Sequence, residues 1–372
     1  MGEQASLPGP VAGNIPVPDR ILQIDLLKAL AIIAVIIMHT FPPSLILASG
    51  GPYYLWNAVP LFILIAGFTA AYGFRKRGAA SLRQCYDPRF VARRYIRLGV
   101  PYLLYWVLGV ILLVTFVGVS LDARALVVNL ASGGSGWGSY FIPIILESVL
   151  IVPLLYIAAL RDPDLMVIGA LAVNIAFEVL VVLSGSTALS SFIYFRYLFA
   201  GALGVWLVTS TMPRKAAIAA GGIVSLVFLT LVGYTNVFPQ GSIFYQYDGA
   251  LQFPAFMWTL MLAMAGLAWL PKTATSRITR PLAAAGRASW HIFMVQMLFF
   301  LFPAEYVYWF LNTFVLRVVL EPVFFLFPPA LDPTLQLVGV ACNILICCIL
   351  GYWWYASEKK VFGTIGGRIR PT

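Results

Sequence analysis

Three ionisable side chains fall within one otherwise apolar run, Asp25-Leu-Leu-Lys28 through to Ile-Ile-Met-His39. On a helix at about 100° per residue, the path from Lys28 to His39 returns to within roughly 20° of its starting direction and advances about 16 Å. Asp25, three residues before Lys28, shares that face at ion-pairing distance. The stripe offers a carboxylate and an ammonium that partly neutralise each other at one end, and an imidazole standing alone near the outer end. Ionisable groups inside a membrane helix are costly, so each is a functional candidate by default. A neutral imidazole is the usual group for taking a proton near neutral pH, and the chain has only two histidines, His39 and His291. The chemistry this suggests is removal of a proton from a hydroxyl, or relay of a proton along the stripe. The plainer reading has Asp25 and Lys28 snorkelling to the interface and His39 capping the helix, which leaves the shared face an accident.

The solvent that must surround such a helix is lipid. The 372 residues are 61% hydrophobic and 10% charged with mean hydropathy +0.91, where a soluble domain carries roughly 25% charged residues. A spanning helix needs about 20 mostly apolar residues. Ten segments qualify, near 21–41, 53–74, 98–119, 139–160, 165–184, 191–210, 216–235, 251–271, 289–312 and 334–356. The expectation is an all-α polytopic membrane protein. It has a disordered Pro/Gly-rich tail over 1–19, a transmembrane domain over 20–356 and a basic tail over 357–372. The apolar stretch 313–333, interrupted by Arg317, Glu321 and Pro322, reads as a partly embedded outer loop or an eleventh pass.

With the N-terminus inside, only Arg124 and Arg317 of the 24 Lys and Arg fall in outer loops, and Lys28 and Arg196 fall within spans. The remainder are cytoplasmic, a strong positive-inside bias that also puts the C-terminus inside. The net charge of +10 therefore reports topology, not a nucleic-acid partner. The first apolar stretch is too long, and too charged at Asp25 and Lys28, for a cleaved signal peptide. Cys85, Cys342, Cys347 and Cys348 show neither a metal-binding spacing nor a disulfide framework. Arg196, inside a span, calls for an acidic partner, and Glu178 lies one span away. His291, near the cytoplasmic start of its span, reads as an interface residue. Trp137 and the run Gly133 to Gly138 suit either a sugar-stacking platform or an aromatic belt.

Short motifs then recur in order along the chain. Arg20-x4-Asp25-x2-Lys28-x10-His39 resembles the opening of the acyltransferase-3 family of integral membrane acyltransferases, the carbohydrate O-acetyltransferase-like enzymes. Pro60-Leu-Phe-Ile-Leu-Ile-Ala66-Gly67-Phe68 is similar to the family's FF-x-L-S-G-F, with Ala66 for Ser. Arg89-Phe-x-x-Arg93-Arg94-x-x-Arg97-x-x-x-Pro101-Tyr102 is similar to its R-x-x-R loop. Tyr140-Phe-Ile-Pro143 followed by Pro153 resembles the W-F/T-L-x…P helix. Ser289-Trp-His-Ile-Phe293-Met-Val-Gln296 resembles S-Y-x-I-Y-L-x-H. Two departures bear on chemistry. Gln296 replaces a common His, so no second catalytic histidine carries over. Tyr140 replaces a common Trp, and Ile145 stands where many members have Glu, with Glu147 two residues on and about 200° round the helix.

The resemblance implies transfer of an acyl group, usually acetyl, from cytoplasmic acyl-CoA to a hydroxyl of a glycan or lipid-linked oligosaccharide. Polysaccharide O-acetylation in the inner (cytoplasmic) membrane is one setting. On this view His39 is the base, and Glu147 or Glu178 could orient its ring. Lys28, alongside Asp25, lies on the acyl arm's route and could hold a phosphate or carbonyl oxygen. Arg89, Arg93, Arg94 and Arg97 would hold the phosphates of acetyl-CoA through guanidinium forks. Arg94 and Arg97 are foremost because they share a helix face. Arg75, Lys76, Arg77 and Arg83 are assigned to topology and anionic lipid. No metal is expected. The partners are acyl-CoA, the hydroxyl acceptor and the lipid bilayer; acceptor identity, acyl length and oligomeric state are left open. The rival class is a transporter or exporter with Lys28 and His39 in a proton relay.

Overall fold

A computed structural model describes residues 20–41, 43–136, 138–185, 193–211, 215–235, 237–238, 252–299, 301 and 332–368. These residues form helices and connecting turns, with no strand among them. The helices used below are α1 (Leu22–Thr40), α2 (Ala58–Lys76), α3 (Pro88–Leu112), α4 (Phe141–Arg161), α5 (Pro163–Ser184) and α6 (Leu198–Thr209). After them come α7 (Lys215–Tyr234), α8 (Phe256–Trp269), α9 (Thr279–Arg287), α10 (Ser289–Phe299) and α11 (Asp332–Arg368). Seven helical segments are long and apolar enough to cross a membrane, and three shorter apolar ones accompany them. Each overlaps one of the ten expected segments. The stretches 1–19 and 313–331 lie outside the described residues, as does Trp137.

Helix ends follow local chemistry. Asp87 caps α3 by accepting the Arg89 N–H, and Pro88 occupies the first turn where no donor is needed. Asp162 ends α4 and caps α5, accepting the N–H groups of Asp164 and Leu165, again with proline next. The first cap corrects the sequence reading. The segment holding Arg89 to Arg97 is no loop but the first turns of α3, which runs unbroken through Pro101. The helix tolerates that proline because an apolar solvent makes every other backbone bond worth keeping. Likewise α11 continues as helix through the segment read as a tail, to Arg368.

The bundle is arranged around α2 and α6, which bury eleven of nineteen and ten of twelve residues. Their crossing is built from glycine. A β-carbon on Gly67 would collide with the Gly201 carbonyl, and one on Gly204 with the Leu64 carbonyl. Without a hydrophobic drive inside lipid, such close backbone approach is what binds helices. At the periphery the pattern inverts, with Leu103, Leu104 and Ile111 on α3, Leu165 and Leu180 on α5, and Ile223 and Val224 on α7 all exposed. Large apolar groups turned outward over several helices describe a lipid-facing surface.

The glycine crossing gives a direct expectation. Gly204→Leu must drive side-chain atoms into backbone, at or beyond the upper end of the ~1–3 kcal/mol that overpacking costs. Thermal unfolding in detergent should show a clear loss. Gly73→Leu on α2, where a β-carbon meets nothing within 4 Å, should be close to neutral.

Candidate active site

The N-terminal half of α1 is held where α9 crosses it. Gly286 rests on the Asp25 carbonyl with no room for a β-carbon. Just before α1 the chain is extended at Ile21, which lets Arg20 fold back over the helix. Its guanidinium donates to both Asp25 oxygens, Nε to Oδ2 at 2.5 Å and Nη2 to Oδ1 at 2.8 Å. That hydrogen bond, with the carboxylate's charge, raises the Arg20 pKa above its ordinary value. The sequence reading paired Asp25 with Lys28. Arg20 holds the carboxylate instead, because a planar fork makes two bonds where an ammonium makes a point contact.

Lys28 faces a cavity of about 220 Å³. One end of it is basic. Arg20 and Lys28 meet Arg94 and Arg97 from α3 and Arg287 from the end of α9. The spacing argument for Arg94 and Arg97 is reproduced, and the Arg94 guanidinium stands 5.0 Å from the Phe90 ring centre. Arg89 and Arg93 do not line the cavity; both are exposed, and Arg93 Nε donates to the Arg89 carbonyl. They lie roughly one and two turns further toward the helix start than Arg97; Arg93 shares the Arg97 side of the helix but projects a turn short of the cavity.

The other end is apolar. Val35 continues the Lys28 face two turns along α1, and Phe62, Phe141, Trp290 and Phe293 surround it. These rings touch in sequence. Phe62–Phe141 centroids are 5.9 Å apart, Phe141–Phe293 5.4 Å edge to face, and Trp290–Phe293 6.1 Å. Trp290 Nε1 donates to the Leu98 carbonyl at 3.1 Å, tying α10 to α3 between the two ends.

His39 lies one turn beyond Val35 on α1, in contact range of the segment that precedes α4. That segment is the glycine run, in which Gly133, Gly134, Gly136 and Gly138 all have positive φ, a conformation that only glycine adopts freely. Tyr105 of α3 pins it by donating to the Ser135 carbonyl at 2.5 Å, and Asn129 donates to Ser135 Oγ at 2.5 Å. A β-carbon on Gly138 would stand 3.8 Å from His39 Nε2 and from Phe293 Cε2. Phe293 thus borders both the cavity and the surroundings of His39.

The two carboxylates considered as orienting groups for His39 are engaged elsewhere. Glu147 accepts the Tyr194 N–H at 2.6 Å. Glu178 pairs with Arg196 at 3.4 Å, both nearly fully buried, as the sequence reading expected for Arg196. His291 departs from expectation. It is buried at 5% exposure, lines the cavity, and its Nε2 lies 2.8 Å from Glu358 Oε2 on α11. Nothing in the sequence linked these residues, since 67 positions separate them. The four cysteines are free, and no group of His, Cys, Asp and Glu among the described residues could hold a metal.

A family model described as an acyltransferase domain matches residues 21–353. The chain belongs to the acyltransferase-3 family. It is a membrane acyltransferase, of a family that acts on hydroxyl groups. The match runs from the residue after Arg20 into α11, so α1 to α10 fall within it, while Tyr355 and Glu358 of α11 lie beyond its end. No curated protein and no solved structure matches the chain.

Proposed function

We propose that this acyltransferase moves a short acyl group, acetyl in the simplest case, from acyl-CoA to a hydroxyl of a glycan or lipid-linked oligosaccharide in the cytoplasmic membrane. One observation carries the reading: one cavity is basic at Lys28, Arg94, Arg97 and Arg287 and aromatic at Phe62, Phe141, Trp290 and Phe293, the last of which also borders the surroundings of His39, itself outside the cavity lining. Acyl-CoA has the same polarity, with phosphates at one end and a thioester at the end of a flexible arm. The positive-inside bias turns the basic end to the cytoplasm, where acyl-CoA is made. Asp25 keeps Arg20 in place at the mouth, and Lys28 contributes charge to the phosphates or the arm.

In this mechanism His39 Nε2 takes the proton as the acceptor oxygen attacks the thioester carbonyl. The new C–O bond forms, the C–S bond breaks, and the proton passes from His39 to the departing CoA thiolate. The enzyme returns to its starting state with no metal in the sequence of steps.

The deciding experiment supplies purified protein with acyl-labelled acetyl-CoA and a panel of hydroxyl acceptors in the absence of any gradient. Labelled acylated acceptor is the expected product. Accumulation of solute in sealed vesicles without an acylated product would favour the transporter instead. Arg94→Ala and Arg97→Ala are each expected to raise the KM for acyl-CoA by tenfold or more, since a charge-assisted contact is worth about 1.5–3 kcal/mol. Arg93→Ala, whose parent side chain lies outside the cavity lining, should change it little.

A further inference from the structure

The cavity and His39 do not meet. Along α1 the lining reaches Val35 and stops, and His39, one turn further on, stands outside it. A thioester held in the cavity must nevertheless touch the imidazole for transfer to occur. Something separates the two, and part of that partition has to move.

Phe293 occupies the place between them. Its ring lines the cavity, while its Cε2 and His39 Nε2 each lie 3.8 Å from one shared point, the site of a β-carbon on Gly138. The ring therefore reaches from the cavity wall to the neighbourhood of the imidazole. The helix that carries it is fixed on two sides. Trp290 Nε1 ties α10 to α3 through the Leu98 carbonyl, and Gly351 of α11 packs on the Ile292 backbone with no room for a β-carbon. The part left to move is the side chain, which turns about two bonds between rotamers. In the position observed it is buried, edge to face with Phe141 and stacked on Trp290. Displacing the ring forfeits those contacts. A water molecule beside His39 is too small to replace them, whereas a hydroxyl acceptor brings enough surface to do so.

We propose, on the acyl-CoA reading, that the Phe293 ring is the partition between the cavity and His39, and that it makes transfer to a hydroxyl acceptor prevail over hydrolysis of the donor. Without it, water reacts as the acceptor does. Its oxygen attacks the thioester carbonyl, the C–O bond forms as the C–S bond breaks, and His39 passes the proton taken from water to the CoA thiolate. Free CoA and acetic acid, ionised in solution, are the products.

The test gives the purified full-length chain acetyl-CoA labelled in the acyl group, with no acceptor, and measures labelled acetate per folded molecule. Transfer of the same label into the acceptor carried by membranes of cells making the chain is measured alongside. In the parent, acetate release should be at least tenfold slower than transfer. Phe293→Ala should speed release at least tenfold, and Phe293→Leu should move it in the same direction. Adding His39→Gln to Phe293→Ala should abolish the gain. Val152→Ala, which opens the buried core away from the cavity, should leave release at the parent rate.

Release in the parent as fast as transfer would overturn the proposal. So would a rate unmoved in both Phe293 variants, a gain that survives loss of His39, or an equal gain in Val152→Ala. A parent that transfers no label from acetyl-CoA would instead overturn the acyl-CoA reading and take this inference with it.

Discussion

His39→Gln is expected to reduce acyl transfer by at least about a hundredfold while leaving CoA binding and folded yield unchanged. General acid–base catalysis contributes about 10²–10⁴-fold, and glutamine, though similar in size and able to hydrogen-bond, does not take up a proton at neutral pH. His39→Ala should be as inactive. Position 39 lies on the last turn of α1, half-buried beside Gly138 and Phe293, so removing its ring leaves the basic end of the cavity around Lys28 intact. If His39 merely capped the helix, glutamine would be tolerated and any loss in alanine would follow yield. Turnover in His39→Gln within about threefold of the parent, with normal CoA binding, would remove it from the base role.

The second large effect concerns stability. Glu178 and Arg196 are 1% and 4% exposed, and removing one partner of a buried pair leaves an uncompensated charge at a cost of about 3–5 kcal/mol. Glu178→Ala should therefore unfold at markedly lower temperature in detergent. Glu178→Ala combined with Arg196→Leu should recover much of that loss, because two apolar groups in lipid-like surroundings are cheaper than one stranded ion. Transfer per folded molecule should persist in the double variant. A double variant that is stable yet inactive would make this pair part of the chemistry and not of the scaffold.

Hydropathy alone disclosed the helical segments, because a bilayer imposes one length and one polarity on each. It misplaced the start of α3, since the arginine-rich turns before residue 98 are too polar for any apolar window. The Asp87-Pro88 cap was the available signal for the true beginning. Periodicity read the site along single helices well. It placed Asp25, Lys28 and His39 on one side of α1, of which Asp25 and Lys28 line the cavity and His39 does not, and it paired Arg94 with Arg97, because one helix fixes the geometry between its own residues. It could not rank partners that compete for one carboxylate. Lys28 and Arg20 were both within reach of Asp25, and the extended backbone at Ile21 decided for Arg20. Nor does any period encode contacts between distant segments. The His291–Glu358 pair and the approach of Gly138 to His39 exist only once α10, α11 and the glycine run are brought together.

Helix α11 has a practical consequence of its own. It is one uninterrupted rod of 37 residues, and a helix of that length extends about 55 Å. Near its C-terminal end it carries Tyr355, which lines the cavity, and Glu358, which grips His291. A rod has no slack, so torque applied at Arg368 is delivered to the cavity mouth roughly three turns away. A bulky fusion partner or an immobilising tag at that end would act as a lever on the cavity.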